Sequence, residues 1–245
     1  MTAALPHFSP LLFATMGAAV AAGFVRGFTG FGGPAFMLAI LTLFFTPVDV
    51  ISQILIIEFI ATTYLFAGLW KQVNWHTTLP LTVATVLTMP LGHWLLTHTD
   101  PATMKLVIAI LILLACMLML TGFRYQTPMS KPGLFALGLV GGLIFGASYI
   151  ALIVVSVVLM GPYNKNQSRT LIISWNFIIA IWYIIISMYR GTTEAGDVIE
   201  AMPATGAYLI GTWVGARVFD GSNESGYRKA AIITLLTIAL ISIVL

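Results

Sequence analysis

Gly23-Phe24-Val25-Arg26-Gly27-Phe28-Thr29-Gly30-Phe31-Gly32-Gly33-Pro34 interrupts an apolar run that extends from about Leu11 to Phe45. Five glycines, one proline and one arginine make this a poor straight membrane helix. Glycine relaxes the backbone and proline removes a helix donor, so the helix is expected to break between Gly30 and Pro34. Broken backbone at membrane depth is tolerated only where it is buried in protein or lines a cavity. An arginine beside such a break is a candidate anion site.

Working outward, the rest of the chain is equally apolar. Of 245 residues, 59% are hydrophobic and only 8% charged, against roughly 25% charged in soluble domains. Apolar runs recur at 11–25, 31–46, 48–69, 78–96, 103–122, 134–160, 170–189, 203–219 and 230–245. Several reach the roughly 20 residues that cross a bilayer as a helix. No stretch is polar and long enough to form a separate soluble domain. The sequence therefore predicts an all-α integral membrane protein. Its net charge of +3 reflects loops facing the cytoplasm rather than a nucleic-acid partner. The single cysteine, Cys116, lies in an apolar run and suggests no redox role. His7, His76, His93 and His98 lack ligand spacing; no metal site and no cofactor are expected.

Loop charges set the topology. If every run from 48 onward crosses once, Lys and Arg divide six against four. If 134–160 instead enters and returns on one side, Lys71, Arg124, Lys131, Lys165, Arg169, Arg217, Arg228 and Lys229 share a side, leaving Lys105 and Arg190 opposite. The second side also collects Asp49, Asp100, Glu194, Asp197 and Glu200. An eight-to-two split is what the positive-inside rule expects, and it makes the basic side cytoplasmic in an inner (plasma) membrane. Half of 134–160, about 13 residues, spans ~20 Å and reaches only the bilayer middle.

The two halves share an order of features: a Gly-rich broken segment, a proline turn (Thr46-Pro47, Gly161-Pro162), an apolar helix, an aromatic-basic joint (Trp70-Lys71, Tyr189-Arg190), a further helix with Gly or Pro, and a plain apolar helix opened by a basic residue. We expect two inverted repeats, 1–125 and 131–245, each a re-entrant or broken hairpin followed by about three transmembrane helices. Matching interruptions in inverted halves point to a secondary transporter with a midplane site.

Three glycine runs, Ala22 to Gly33, Gly138 to Gly146 and Gly211 to Arg217, recur in order over essentially the whole chain, and with them it resembles the TauE/SafE family of sulfite exporters. Ala22-Gly23-Phe24 through Gly30-Phe31-Gly32-Gly33 is similar to that family's N-terminal signature, and Gly138 to Gly146 to its second copy. Gly211, Gly215 and Arg217 match its closing Gly-x-x-x-Gly-x-Arg run. In one place the chain departs: where the second copy usually reads Gly-x-Gly-Gly-Pro, it has Gly146-Ala147-Ser148-Tyr149. The resemblance implies transport of a sulfur-containing anion such as sulfite, a sulfonate or a related organic acid.

Candidate substrate-binding residues are Arg26, Gly30, Gly32, Gly33, Gly146, Ser148, Tyr149 and Asn176, with Glu58 a candidate for proton coupling. A guanidinium fits sulfur oxyanions through paired hydrogen bonds; alternatively, Arg26 caps backbone carbonyls at the break. The glycine clusters would expose amides at half-helix N-termini, which suit an anion; alternatively, they allow close helix packing. Glu58 is the one acid deep in an apolar run, and pairing with Arg26 is its structural alternative. Asn176 holds the corresponding place in the second half. Asn164 to Arg169 reads as a short basic loop on the cytoplasmic side. The function expected is carriage of a small anion by alternating access. An anion channel or passive membrane subunit is the rival reading. A membrane-embedded enzyme is disfavoured because acids and histidines are few and scattered. The expected partners are that anion and the lipid bilayer, and the sequence is compatible with a homo-oligomer.

Overall fold

The computed structural model describes residues 10–41, 47–100, 123–149, 151–191 and 195–227, with isolated positions between 103 and 117 and between 229 and 237. Among the described residues the chain is all-helical, as expected. Eight α-helices follow in order: α1 (Pro10–Thr29), α2 (Gly33–Leu41), α3 (Pro47–Leu69), α4 (Trp75–His98), α5 (Lys131–Ser148), α6 (Leu152–Leu159), α7 (Lys165–Tyr189) and α8 (Ala195–Asp220). The crossings expected at 103–122 and 230–245, with Lys105, Cys116 and Arg228, lie largely outside the described residues. Among the described residues, four stretches, Ser52–Gln72, Trp75–His98, Lys131–Ser148 and Lys165–Tyr189, are long and apolar enough to cross a membrane. Leu87 and Ile210, both mid-helix, stay more than half exposed, a surface that suits lipid. Trp70 and Trp75 stand exposed at one end of the bundle, Trp94 and Tyr189 at the other, where aromatic belts belong.

Both Gly-rich segments break. Between α1 and α2, Gly30 and Gly32 take φ values of 83° and 80°, a left-handed backbone that costs other L-residues roughly 1–2 kcal/mol. Between α5 and α6 the turning residue is Tyr149, at φ 56°, with its N–H on Phe145 O at 2.7 Å. The two arms are unequal where about 13 residues each were expected: α5 has eighteen, enough to cross rather than to stop at the bilayer middle, and α6 has eight. Gly138, Gly142 and Gly146 do not turn the chain because they are committed to packing.

That packing is reciprocal. A Cβ on Gly23 or Gly27 would strike the Tyr208 or Thr212 carbonyl of α8, and one on Gly211 or Gly215 the Val20 or Phe24 carbonyl of α1. A Cβ on Gly138, Gly142 or Gly146 would strike the Leu81, Thr85 or Met89 carbonyl of α4, and one on Gly92 the Leu143 carbonyl of α5. Small residues let helix backbones touch, which drives association in lipid where the hydrophobic effect is weak.

These contacts also give direction. Partners rise together along α4 and α5 (Leu81 with Gly138, Thr85 with Gly142, Met89 with Gly146), so the two helices run parallel. So do α4 and α7: Trp175 Nε1 donates to Thr85 Oγ1 at 3.0 Å, and His93 Nδ1 lies 3.2 Å from Tyr183 Oη. Helices α5 and α7 thus begin at the same end of the bundle, and the α5–α6 segment leaves and returns to that end. At this end Lys165 Nζ donates to Phe219 O and Ser222 O, at 3.3 and 2.6 Å, so α8 runs opposite to α7. Here too Arg124, Tyr125, Gly161, Tyr163 and Glu224 line a cavity of ≈ 290 Å³. Burial, and to a lesser degree the neighbouring Tyr163, push the Tyr125 phenol up to about 12, so it stays neutral.

Local chemistry supports the helices. Pro90 cannot donate to Val86 O, and Trp182 Nε1 fills that carbonyl from α7 at 3.1 Å; unsatisfied backbone is costly in lipid. Helix α7 opens with a capping box: Gln167 N donates to Asn164 Oδ1 at 2.9 Å, and Asn164 N to Gln167 Oε1 at 3.1 Å. The stretch from Asn164 to Arg169 is therefore the start of a helix rather than a basic loop. Arg169 is buried in it, stacked 4.2 Å above the Phe219 ring.

Candidate functional site

The two breaks meet at the centres of α3 and α7. A cavity of ≈ 20 Å³ lies there, lined by Phe31, Gly32, Pro34 and Ala35 of the first break, Phe145, Tyr149, Ala151 and Leu152 of the second, Glu58 of α3 and Asn176 of α7. Its volume matches roughly one water molecule. Both half-helices, α2 and α6, present their first turns to it. First-turn amides have no acceptor within their own helix. Gly32 has no side chain to cap them, and Ala151 makes no side-chain cap to α6. The positive ends of two helix dipoles therefore face one small space.

Among the polar groups around this space, Tyr149 stands out. It is 5% exposed, and its hydroxyl has no hydrogen-bond partner among the described residues. The ring is held by Phe145 and Tyr183, with centroids at 4.9 and 5.0 Å. Buried hydroxyls are normally paired, and an orphan calls for an explanation. The side chain of Asn176, also buried, approaches from α7.

Glu58 joins the cavity to a charged network behind it. Arg26, fully buried, brings Nε within 2.6 Å of Glu58 Oε1, without hydrogen-bond alignment. Arg26 Nη2 donates to Thr62 Oγ1 at 2.6 Å, and Nη1 donates to Gly30 O. Thr62 Oγ1 donates to Glu58 Oε1 at 3.1 Å, and Tyr208 Oη to Oε2 at 2.9 Å. A buried charge pair is tolerated only when its other donors and acceptors are bonded, and here Gly30 O, Thr62 and Tyr208 engage Nη1, Nη2 and both carboxylate oxygens.

The carbonyl end of α1 is satisfied by side chains from distant elements. Arg169 Nη2 donates to Gly27 O at 2.7 Å, and Tyr227 Oη to Thr29 O at 2.9 Å. With Arg26 on Gly30 O, three side chains cap this one helix end.

Of the residues singled out in the sequence, Gly32, Glu58, Tyr149 and Asn176 come together around the cavity. Arg26 and Gly33 lie one layer behind. Arg26 caps a carbonyl and pairs with Glu58, while a Cβ on Gly33 would strike Tyr208 Oη and Arg26 Cβ. Gly30 packs against Arg169, Ser148 Oγ donates to Ile144 O at 2.8 Å, and Gly146 abuts α4; none of the three lines the cavity. Sequence reading missed Thr62, Tyr208 and Arg169. Thr62 was findable, four residues after Glu58 on the same helix face. Asn164-x-x-Gln167 signalled the helix that carries Arg169. Nothing local marked Tyr208.

Comparison with curated proteins and with solved structures gives no significant match. A family profile described as "Sulfite exporter TauE/SafE" matches residues 15–242, nearly the whole chain. That span takes in both breaks, the Arg26–Glu58–Tyr208 network and Asn176, and the protein belongs to the TauE/SafE sulfite exporter family.

Proposed function

We propose that this protein is a secondary carrier of a small sulfur-containing anion, sulfite or a sulfonate, working by alternating access in the inner membrane with its basic end in the cytoplasm. One observation carries the reading: the first turns of two half-helices, whose N-cap residues Gly32 and Ala151 offer no capping side chain, and Tyr149, whose hydroxyl has no partner among the described residues, converge on one cavity beside Asn176. This constellation offers fixed donors and positive potential to an anion's oxygens. The family supplies the chemical class. Residues 1–125 and 131–245 form the two inverted repeats of this proposal. The exchange of contacts between them, α1 on α8 against α4 on α5, supports it. At ≈ 20 Å³ the cavity is smaller than a three-oxygen sulfur anion, so admitting one requires the two breaks to separate, as rocking of one repeat on the other would do.

Uptake in proteoliposomes tests this. Sulfite and sulfonates should be taken up saturably, ahead of carboxylates of similar size, and internal anion should accelerate uptake of labelled external anion. A channel would pass non-saturating current without that acceleration, and such a result would overturn the carrier.

A further inference from the structure

Glu58 lines the cavity and Arg26 does not. The carboxylate thus stands between the central space and the guanidinium behind it, the most strongly donating group within reach. An anion entering this space meets a like charge first. Among the described residues, the ionisable groups facing Glu58 are Arg26 from α1, Tyr208 from α8 and Tyr149 at the second break. Helix α2 carries no ionisable residue, and α7 presents Asn176. Arg26 is thus the sole cation in the set.

Resting on the carrier reading above, we propose that Glu58 is a built-in competitor of the substrate for Arg26, and that its protonation couples the anion to a proton. In the pair as it stands, Arg26 is neutralised by Glu58 and has little attraction left for a second anion. When a proton from water bonds to a Glu58 oxygen, the carboxyl becomes neutral and its hold on the guanidinium weakens. The Arg26 N–H groups then turn to the anion's oxygens. Tyr208 can partner the carboxyl in either form as that group yields its place before Arg26 to the anion, because a phenol can donate to the charged form and accept from the neutral one. Thr62 bridges Arg26 and Glu58 by the same property of its hydroxyl. On the far side the anion leaves, Arg26 recaptures Glu58, and the proton returns to water. The balance is one anion and one proton per crossing, moving in the same direction. For a monovalent sulfonate this transfer is electroneutral. Empty return of the carrier keeps the Arg26–Glu58 pair closed, so no uncompensated charge crosses the core.

The test uses a sulfonate, whose own charge is constant over the pH range. Its affinity for purified protein should fall about tenfold per pH unit above the pKa of Glu58 in the free protein, the slope for uptake of one proton. In Glu58→Gln the affinity should become independent of pH and equal the wild-type low-pH value. Exchange of anion for anion should persist in this variant, while accumulation driven by a proton gradient is lost. Retention of the wild-type pH slope in Glu58→Gln overturns the coupling. Should that variant fail to fold, proton uptake on binding to wild type in weak buffer decides: about one proton per anion supports the proposal, and none overturns it. Absence of sulfonate binding at every pH would overturn the carrier reading itself, whereas tight binding independent of pH in wild type overturns only the coupling.

Discussion

Replacing Tyr149 by Phe should stabilise the ligand-free protein and weaken anion binding, two effects of opposite sign from one oxygen atom. The hydroxyl is buried and without a partner among the described residues, and an unsatisfied buried polar group costs about 1–3 kcal/mol. Phenylalanine keeps the ring contacts with Phe145 and Tyr183. It occupies the left-handed backbone at φ 56° at the same cost as tyrosine, so that contribution cancels. The ligand-free variant should therefore gain about 1–3 kcal/mol by removing the orphan. Donation to a charged oxygen contributes about 1.5–3 kcal/mol, so its loss should lower sulfonate affinity roughly tenfold to a hundredfold. Thermal unfolding in detergent, with and without the sulfonate, reads the first effect, and calorimetric titration the second. The ligand-induced rise in melting temperature should shrink even as the ligand-free melting temperature climbs. A variant that melts lower and binds as wild type would refute the reasoning, and would make the hydroxyl a structural group.

Arg26→Ala should leave Glu58 buried without its cation and cost about 3–5 kcal/mol of stability, measured by unfolding in detergent. Arg26→Ala with Glu58→Gln should recover most of that loss, and wild-type stability of the single variant would show the pair to be energetically idle. Single cysteines placed by Gln72→Cys and by Asn166→Cys, in a Cys116→Ser background, should react with an impermeant thiol reagent from the same side of the membrane. Labelling from opposite sides would refute the common starting end of α4 and α7.

Much of the architecture was legible because the bilayer leaves the backbone few options. Apolar runs of crossing length become helices, and Gly-Pro clusters within them become breaks. The first break fell where Gly30 to Pro34 put it, and Glu58, Tyr149 and Asn176 were visible as polar groups in apolar surroundings. The second break was harder to place. Glycine in a membrane helix serves either a turn or a close helix contact, and which one depends on the neighbour. Gly142 and Gly146 look like a hinge in the sequence, yet Thr85 and Met89 of α4 hold them in the helix, and the chain turns instead at Tyr149. Arg26 was ambiguous for a similar reason. Sequence alone required that its charge be compensated, but whether by substrate, carbonyl or carboxylate was decided by the position of α3 and α8 against α1. Tyr208 lies 150 residues from the Glu58 it contacts, and no local pattern encodes such a meeting. The sequence by itself determined that this is a helical membrane protein with two interrupted segments, because helix formation and burial cost are local properties. Only the tertiary structure decided which glycines turn, which arginine is already paired and which hydroxyl is left open, because each of those outcomes is set by what another helix brings to the same place.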